Sequence, residues 1–330
     1  MKARSKFLCK DSDVSKFRNA RDGGLDFIGD IHGQCDVLVK LLGVLGYESR
    51  GDGYRHPDGR QTVFLGDYID RGPTIRETLR VVRAMVDSGD AQALMGNHEF
   101  NAVAFATPRS GGGYLRRRSE KNRVQHEATL DQFKDAMDEW DDWLDWFKTL
   151  PMWLDLGGIR AVHACWDESS MELLASGDLS EADFLESCAS ENTPEFAALE
   201  SVLKGPELPL PDGLVYIDKQ GIKRSRIRSR WWGLSDGDGG LTFSDVAMPP
   251  GSFSCDRQVP EDDLAELPNY TDATPVLVGH YWLPVTSDRK PLAPNVGCLD
   301  FSVGQGGPLA AYRWDGEAEL SDERMVMIER

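Results

Sequence analysis

Apolar and polar positions alternate between two spacings along the first hundred residues. Short runs of apolar or β-branched residues open "LDFIGDIHG" (25 to 33), "TVFLGDYIDRG" (62 to 72) and "AQALMGNHEF" (91 to 100), and each run is closed by glycine. Such runs read as strands buried on both faces. Between them the spacing becomes helical. Val37, Leu38, Leu41, Leu42 and Leu45 fall on one face of "QCDVLVKLLGVLGY", and "TIRETLRVVRAMVDSG" is again helical, with Pro73 near its first turn and Gly89 at its end. In "YRHPDGRQTVFL" the pair Asp58-Gly59 predicts a hairpin turn into the second strand. The order is βα, βα, βα, an α/β fold whose ligands are expected at the C-terminal strand ends.

The stretch from 119 to 150 predicts one long helix or two shorter ones, ended by Pro151, with Trp140, Trp143, Trp146 and Phe147 as packing positions. "PMWLDLGGIRAVHACWD" predicts a hairpin turning at Gly157-Gly158 and reaching His163. Residues 168 to 212, acidic and then proline-rich, predict helices and a loop on the outside. Later strands are expected in "GLVYID", "TPVLVGH", "NVGCLDFS" and "GPLAAYRWDG". No internal repeat or low-complexity linker interrupts the chain. The expected organisation is an N-terminal extension at 1–20 and a single domain at 21–330, with a helical insertion at about 101–150.

Composition narrows the class of function. A chain of 330 residues with 40% hydrophobic and 28% charged residues is that of an ordinary globular protein able to bury a full core. Its formal net charge of −18 repels nucleic acid and anionic membranes, so neither is expected as a partner. A phosphorylated substrate meets the same field and needs local positive charge. "MKARSKFLCK" has no apolar core after its basic residues, and no apolar run approaches a membrane span. The six cysteines form no C-x-x-C pair, which fits reduced thiols and a cytoplasmic location.

The histidines carry chemistry by position. His32, His98, His163 and His280 each lie just past an apolar strand, whereas His56 sits in a hairpin and His126 in a helix. With Asp30, Asp67 and Asn97 they form a mixed imidazole, carboxylate and amide set. That mixture suits manganese, iron or zinc better than calcium or a structural zinc. Seven candidates exceed what one ion needs, and two ions sharing a bridging carboxylate would use them.

"GDIHGQ", "GDYIDRG", "GNHE", "VHA" and "VGH", in that order from 29 to 280, resemble the phosphoprotein phosphatase family of the calcineurin-like metallophosphoesterases, in its bacterial serine/threonine phosphatase form. The resemblance implies a central β-sandwich flanked by α-helices, a four-layer αββα arrangement with two metal ions at one edge. It implies that Asp30 and His32 bind the first metal, that Asp67 bridges, and that Asn97, His163 and His280 bind the second, with Asn97 also near the substrate. It further implies that Asp70 orients His98 and that Arg71 grips the phosphate. A hydroxide bridging the metals would attack phosphorus, and His98 held as imidazolium by Asp70 would protonate the leaving oxygen. Arg71 offers a planar fork to the phosphate oxygens. Symmetrical dinucleoside-tetraphosphate hydrolases tend to carry Asp at the position of Glu99 and to lack the full "DRG", so the chain looks closer to the protein phosphatases.

Two features stay open. Arg224, Arg226, Arg228 and Arg230 of "KRSRIRSRWW" share one face if extended. That face is either neutralised by the protein's own carboxylates or a phosphate contact, for which the resemblance implies Arg228 or Arg230. "LRRRSEK" at 115 to 121 is expected as a basic loop near the inserted helices. Cys165 shares a side with His163 on an extended strand, as a thiol near the metals or as a small buried filler. The expected function is two-metal hydrolysis of a phosphomonoester, in a phosphoprotein or a small ester. The alternatives are a dinucleoside-polyphosphate hydrolase or phosphodiesterase and, in another class, a non-catalytic metal or phosphate binding module.

Overall fold

Strands that are apolar on both faces must be paired at their edges and covered above and below. In the computed structural model of the chain, which describes residues 24–211, 213–217, 223–234, 240–284 and 288–330, two sheets meet that demand. The extension expected at 1–20, with Cys9 in it, and the last residue of "GLVYID" lie outside the described residues.

The first sheet is built on β1 (Leu25–Ile28), β2 (Gln61–Phe64) and β3 (Ala91–Ala93), which run parallel with Ile28 opposite Phe64 and Phe64 opposite Ala93. Helix α1 (Cys35–Leu45) makes the crossover from β1 to β2 and α2 (Ile75–Asp87) that from β2 to β3. Val37, Leu38, Leu41, Leu42 and Leu45 are all buried, as their spacing requires. The second sheet contains β4 (Trp153–Asp155), β5 (Arg160–Val162), β6 (Val276–Val278) and β7 (Val296–Cys298). β4 and β5 form the antiparallel hairpin, whereas β6 lies parallel to both β5 and β7. The chain then returns to the first sheet, where β8 (Leu309–Trp314) runs antiparallel to β1 and β9 (Met325–Ile328) closes the edge.

One hydrophobic cluster joins both sheets, with Phe27, Phe64, Leu277 and Val278 in it. Helices α1 and α2 cover the outer face of the first sheet. Beside the second sheet the helices Glu168–Leu174, Ala182–Cys188 and Pro194–Lys204 pack on one another, and Val202 O accepts the amides of Ala164 and Cys165 just past β5. The result is the four-layer αββα sandwich. The segment from 119 to 150 is two helices, α4 (Glu120–Phe133) and α5 (Met137–Lys148), preceded by α3 (Asn97–Ala106). Trp140, Trp146 and Phe147 of α5 are buried.

Some local expectations moved. The hairpin before β2 turns at Gly51-Asp52, between Glu48–Arg50 and Gly53–Arg55, because Gly51 takes the left-handed conformation there. Asp58-Gly59 forms a separate turn, closed by Gly59 N donating to His56 O at 3.0 Å. Tyr216–Ile217 pairs with Lys223–Arg224 outside both sheets, near a separate apolar cluster containing Leu208, Ile227, Phe243, Val246 and Val259. Cys35, Cys165, Cys188, Cys255 and Cys298 are free thiols, and no helix of the described residues is long and apolar enough to cross a membrane.

The sheet topology brings β2 and β3 close enough that glycine is obligatory beyond their ends. A Cβ on Gly66, whose φ is 104°, would stand 2.7 Å from Gly96 Cα and 2.9 Å from His163 Nδ1. Gly66→Ala is therefore expected to lower the unfolding free energy by roughly 2–5 kcal/mol through backbone strain and overpacking. A urea titration with an unchanged midpoint would refute that reading.

Candidate metal centre and catalytic site

Six parallel strand ends face one another across the two sheets. Within one to four residues of those ends stand Asp30 after β1, Asp67 after β2, Asn97 after β3, His163 after β5, His280 after β6 and Asp300 after β7. The backbone there is unusual. Among the described residues, the non-glycine positions with positive φ are His32, Asp67, Asp70, Arg71, His280, Trp282 and Ser302, and all belong to these connections. Such conformations persist where surrounding bonds over-determine them. Glu99 Oε2 accepts from Asp67 N at 2.8 Å and Gly96 N at 3.0 Å, while its Oε1 accepts from Tyr68 N at 2.8 Å. The Asp30 carboxylate accepts from His280 N at 3.2 and 3.1 Å. Asp300 accepts from Trp282 N at 2.7 Å and Ser302 N at 2.9 Å.

Two groups of donors converge on Asp67. His32, Asp67 and His98 form one, and Asp67, His163 and His280 the other, with ligand atoms in each group within 4.8 Å of one another. His32 gives its Nδ1–H to Ile69 O at 2.8 Å, and its buried Nε2 has no partner among the described residues, 3.8 Å from Asp67 Oδ2. His163 gives its Nδ1–H to Leu65 O at 2.7 Å and turns Nε2 toward Asn97 Oδ1 at 3.2 Å and Asp67 Oδ1 at 3.5 Å. Backbone carbonyls thus fix both tautomers with Nε2 available, the arrangement expected of metal-binding imidazoles. Asn97 Oδ1 also lies 2.7 Å from His280 Nδ1. An orphaned imidazole nitrogen beside carboxylate and amide oxygens fits a pair of cations.

The electrostatics point the same way. Asp30 is pushed well above the usual carboxylate range by burial and by the charges of Asp300 and Asp67. Glu99 is raised to about 7 by burial and Asp67. Asp67 goes the other way: burial opposes ionisation, but His163, His98 and His32 outweigh it. His32 is lowered to about 3 by burial and Arg71, which leaves an unprotonated ring. Several carboxylates buried together are costly unless cations compensate them.

Asp70 carries a second network. Its Oδ2 lies 2.5 Å from His98 Nδ1, and its Oδ1 accepts from His126 Nδ1 at 2.7 Å and Thr129 Oγ1 at 2.6 Å. Burial opposes ionisation of Asp70, but these bonds hold it far below the usual range. For His98 burial is outweighed by the Asp67 charge and the Asp70 bond, so its imidazole is held above the ordinary value. His98 Nε2 looks toward the centre, 3.9 Å from Asp67 Oδ2. Arg71 stacks its guanidinium on the Trp282 ring, 3.8 Å from the centroid.

Asp30, His32, Asp67, Asp70, Arg71, Asn97, His98, His163 and His280 are all brought together. The arginine stretch divides. From Arg226 to Arg230 the side chains alternate, with Arg226 exposed, Arg228 and Arg230 half-buried, and Ile227 and Ser229 buried. Arg228 lies close enough for its charge to depress His280, after burial. Arg230 instead donates to Gly233 O at 3.2 Å, and Arg226 pairs with Glu207 at 3.6 Å. Cys165 is fully buried and its thiol is pushed up by burial, as befits packing. Sequence reasoning missed Asp300, His126, Thr129 and Trp282. Asp300 had a signal, since "VGCLD" repeats the plan of an apolar strand followed by a carboxylate. His126 and Thr129 had none.

The family model described as calcineurin-like phosphoesterase matches residues 25–197. A bis(5'-nucleosyl)-tetraphosphatase PrpE [asymmetrical] of Halalkalibacterium halodurans is 48% identical over 73 residues, 22% of this chain and 30% of that protein. The chain thus aligns with under a third of that relative. A symmetrical bis(5'-nucleosyl)-tetraphosphatase of Vibrio parahaemolyticus is 26% identical over 316 residues, covering 90% of this chain and 98% of the relative. A solved protein serine/threonine phosphatase of Saccharomyces cerevisiae superposes with a TM-score of 0.46 at 12% identity, covering 94% of this chain and 81% of that one.

Asp67 stands in both donor groups, so it is the candidate ligand whose charge would matter most. Asp67→Asn is expected to retain fewer than two metal ions per chain when metal content is measured by elemental analysis. Retention of two would contradict the bridging assignment.

Proposed function

The chain belongs to the calcineurin-like phosphoesterase family, and from that premise we propose that it hydrolyses phosphomonoesters of a phosphoprotein or a small ester. Asp30, His32 and Asp67 would hold one ion, and Asp67, Asn97, His163 and His280 the other. The mixed donor set favours manganese, with iron or zinc as alternatives. Bound there, the ions supply charge neutralisation for the phosphate and a water made nucleophilic near neutral pH.

The protein's own groups divide the remaining work. Arg71 presents a planar fork to phosphate oxygens, and the Trp282 ring beneath it restricts the guanidinium to one plane. His98, with Nδ1 committed to Asp70, has Nε2 left to give a proton to the leaving oxygen. That Asp70–His98 pair is the observation that carries the ester reading. A serine or alkyl alkoxide is a poor leaving group until protonated, whereas a nucleotide leaving from an anhydride departs as a stable anion.

A second reading rests on the full-length likeness to a symmetrical bis(5'-nucleosyl)-tetraphosphatase. Under it Arg71 and Arg228 would meet successive phosphates of a dinucleoside polyphosphate. A substrate panel separates the two: turnover of a phosphoserine peptide above that of diadenosine tetraphosphate supports the first, and the reverse order replaces it with the second.

His98→Asn should keep both metals and lower kcat on phosphoserine by roughly 10²–10⁴-fold. The loss should be smaller on p-nitrophenyl phosphate, whose leaving group needs no proton. Equal losses on both substrates would remove His98 as proton donor. Trp282→Leu should weaken inorganic phosphate binding by about 0.5–2 kcal/mol while leaving metal content intact. Calorimetric titration showing unchanged phosphate affinity would assign the stacked pair to packing alone.

A further inference from the structure

We propose that His126, on the inserted helix α4, is a positioning residue that fixes the Asp70 carboxylate and through it the direction in which His98 delivers its proton. The inference rests on the reading of His98 as proton donor.

α4 grips the loop between β2 and α2 at three points spaced along one of its faces. His126 Nδ1 donates to Asp70 Oδ1 at 2.7 Å. Thr129 Oγ1 donates to the same oxygen at 2.6 Å and accepts from Asp70 N at 3.0 Å. Gln132 accepts from Ile75 N at 2.8 Å and donates to Gly72 O at 3.0 Å. The middle contact closes a ring between the Asp70 backbone and its own carboxylate, which suits a residue held at a φ of 67°. With Oδ1 taken by His126 and Thr129 and Oδ2 by His98, the carboxylate cannot turn without breaking a bond at each end. A general acid needs such directional control, because a displacement of about 1 Å at the reacting groups can cost 10²-fold.

The environment of His126 suits a fixed donor. Its ring sits between Phe105 at 5.6 Å and Trp140 at 5.7 Å, and its Nε2 is buried with no partner among the described residues. An N–H at Nε2 would be left unpaired there, so the proton belongs on Nδ1, facing Asp70. His98 differs in having Nε2 turned toward the centre. One carboxylate therefore joins a histidine locked in an aromatic wall to a histidine facing the substrate.

The test compares His126→Ala, His126→Asn, Thr129→Val and His98→Asn in the metal-loaded full chain. Asparagine can place an amide N–H near the position of Nδ1, so it should rescue what alanine loses. His126→Ala should lower kcat on phosphoserine about 10- to 100-fold, with KM and metal content little changed and a smaller loss on p-nitrophenyl phosphate. His126→Asn should recover most of that loss. Thr129→Val should shift kcat in the same substrate-dependent direction and keeps the test alive if His126→Ala does not fold. A readout independent of turnover is the far-downfield proton resonance of the His98–Asp70 bond, which should broaden or move in His126→Ala and return in His126→Asn. Equal losses on both substrates, no rescue by asparagine, or an unmoved resonance would overturn the inference. If His98→Asn itself shows no dependence on the leaving group, the proton-donor reading fails. If it does and His126→Ala does not, this inference alone fails.

Discussion

Asp30, Asp67, Glu99 and Asp300 are all buried in the same small region, and their mutual repulsion is the constraint around which the site is arranged. No carboxylate is left bare. Asp30 takes the amide of His280, Glu99 takes three amides, and Asp300 takes the amides of Trp282 and Ser302. Each oxygen so engaged holds a neighbouring strand connection in place. Asp30 thereby ties the two sheets together at their C-terminal ends, while Glu99 ties connections within the first sheet and Asp300 within the second, and carboxylates buried so close together make a field that suits cations.

Backbone strain is a consequence of that geometry. Side chains leaving six strand ends cannot all aim at one volume while the chain follows ordinary turns, so among the described residues seven non-glycine positions take left-handed conformations. Glycine stands where connections pass too close for a side chain, as where Gly66 meets Gly96. Local strain of this kind is typical of sites where orientation matters more than stability.

Asp70 is the second organising point. It stands between β2 and α2 in sequence but is held from α4, some sixty residues away. That link couples α4 to the centre of the site. Arg71, next to it, is oriented in turn by Trp282, whose own backbone is held by Asp300. Asp70 and Arg71 are thus fixed from two directions, one through α4 and one through the second sheet.

The sequence by itself determined the βα order of the first hundred residues, the hairpin at Gly157-Gly158 and the residues that close the strands, because these depend on local periodicity and on glycine at strand ends. Site residues such as His32, Asp67 and His163 were legible for the same reason: each sits just beyond an apolar run. The tertiary structure decided what had no local signal. His126 and Thr129 look like ordinary helix residues until α4 packs across the 70–75 loop, and Trp282 looks like core until Arg71 lies on it. It also separated the surroundings of Arg228 and Arg230, since alternation puts both on one face but the fold turns Arg230 toward Gly233. Periodicity specifies which side a residue faces, whereas only the packing of distant elements specifies what stands there.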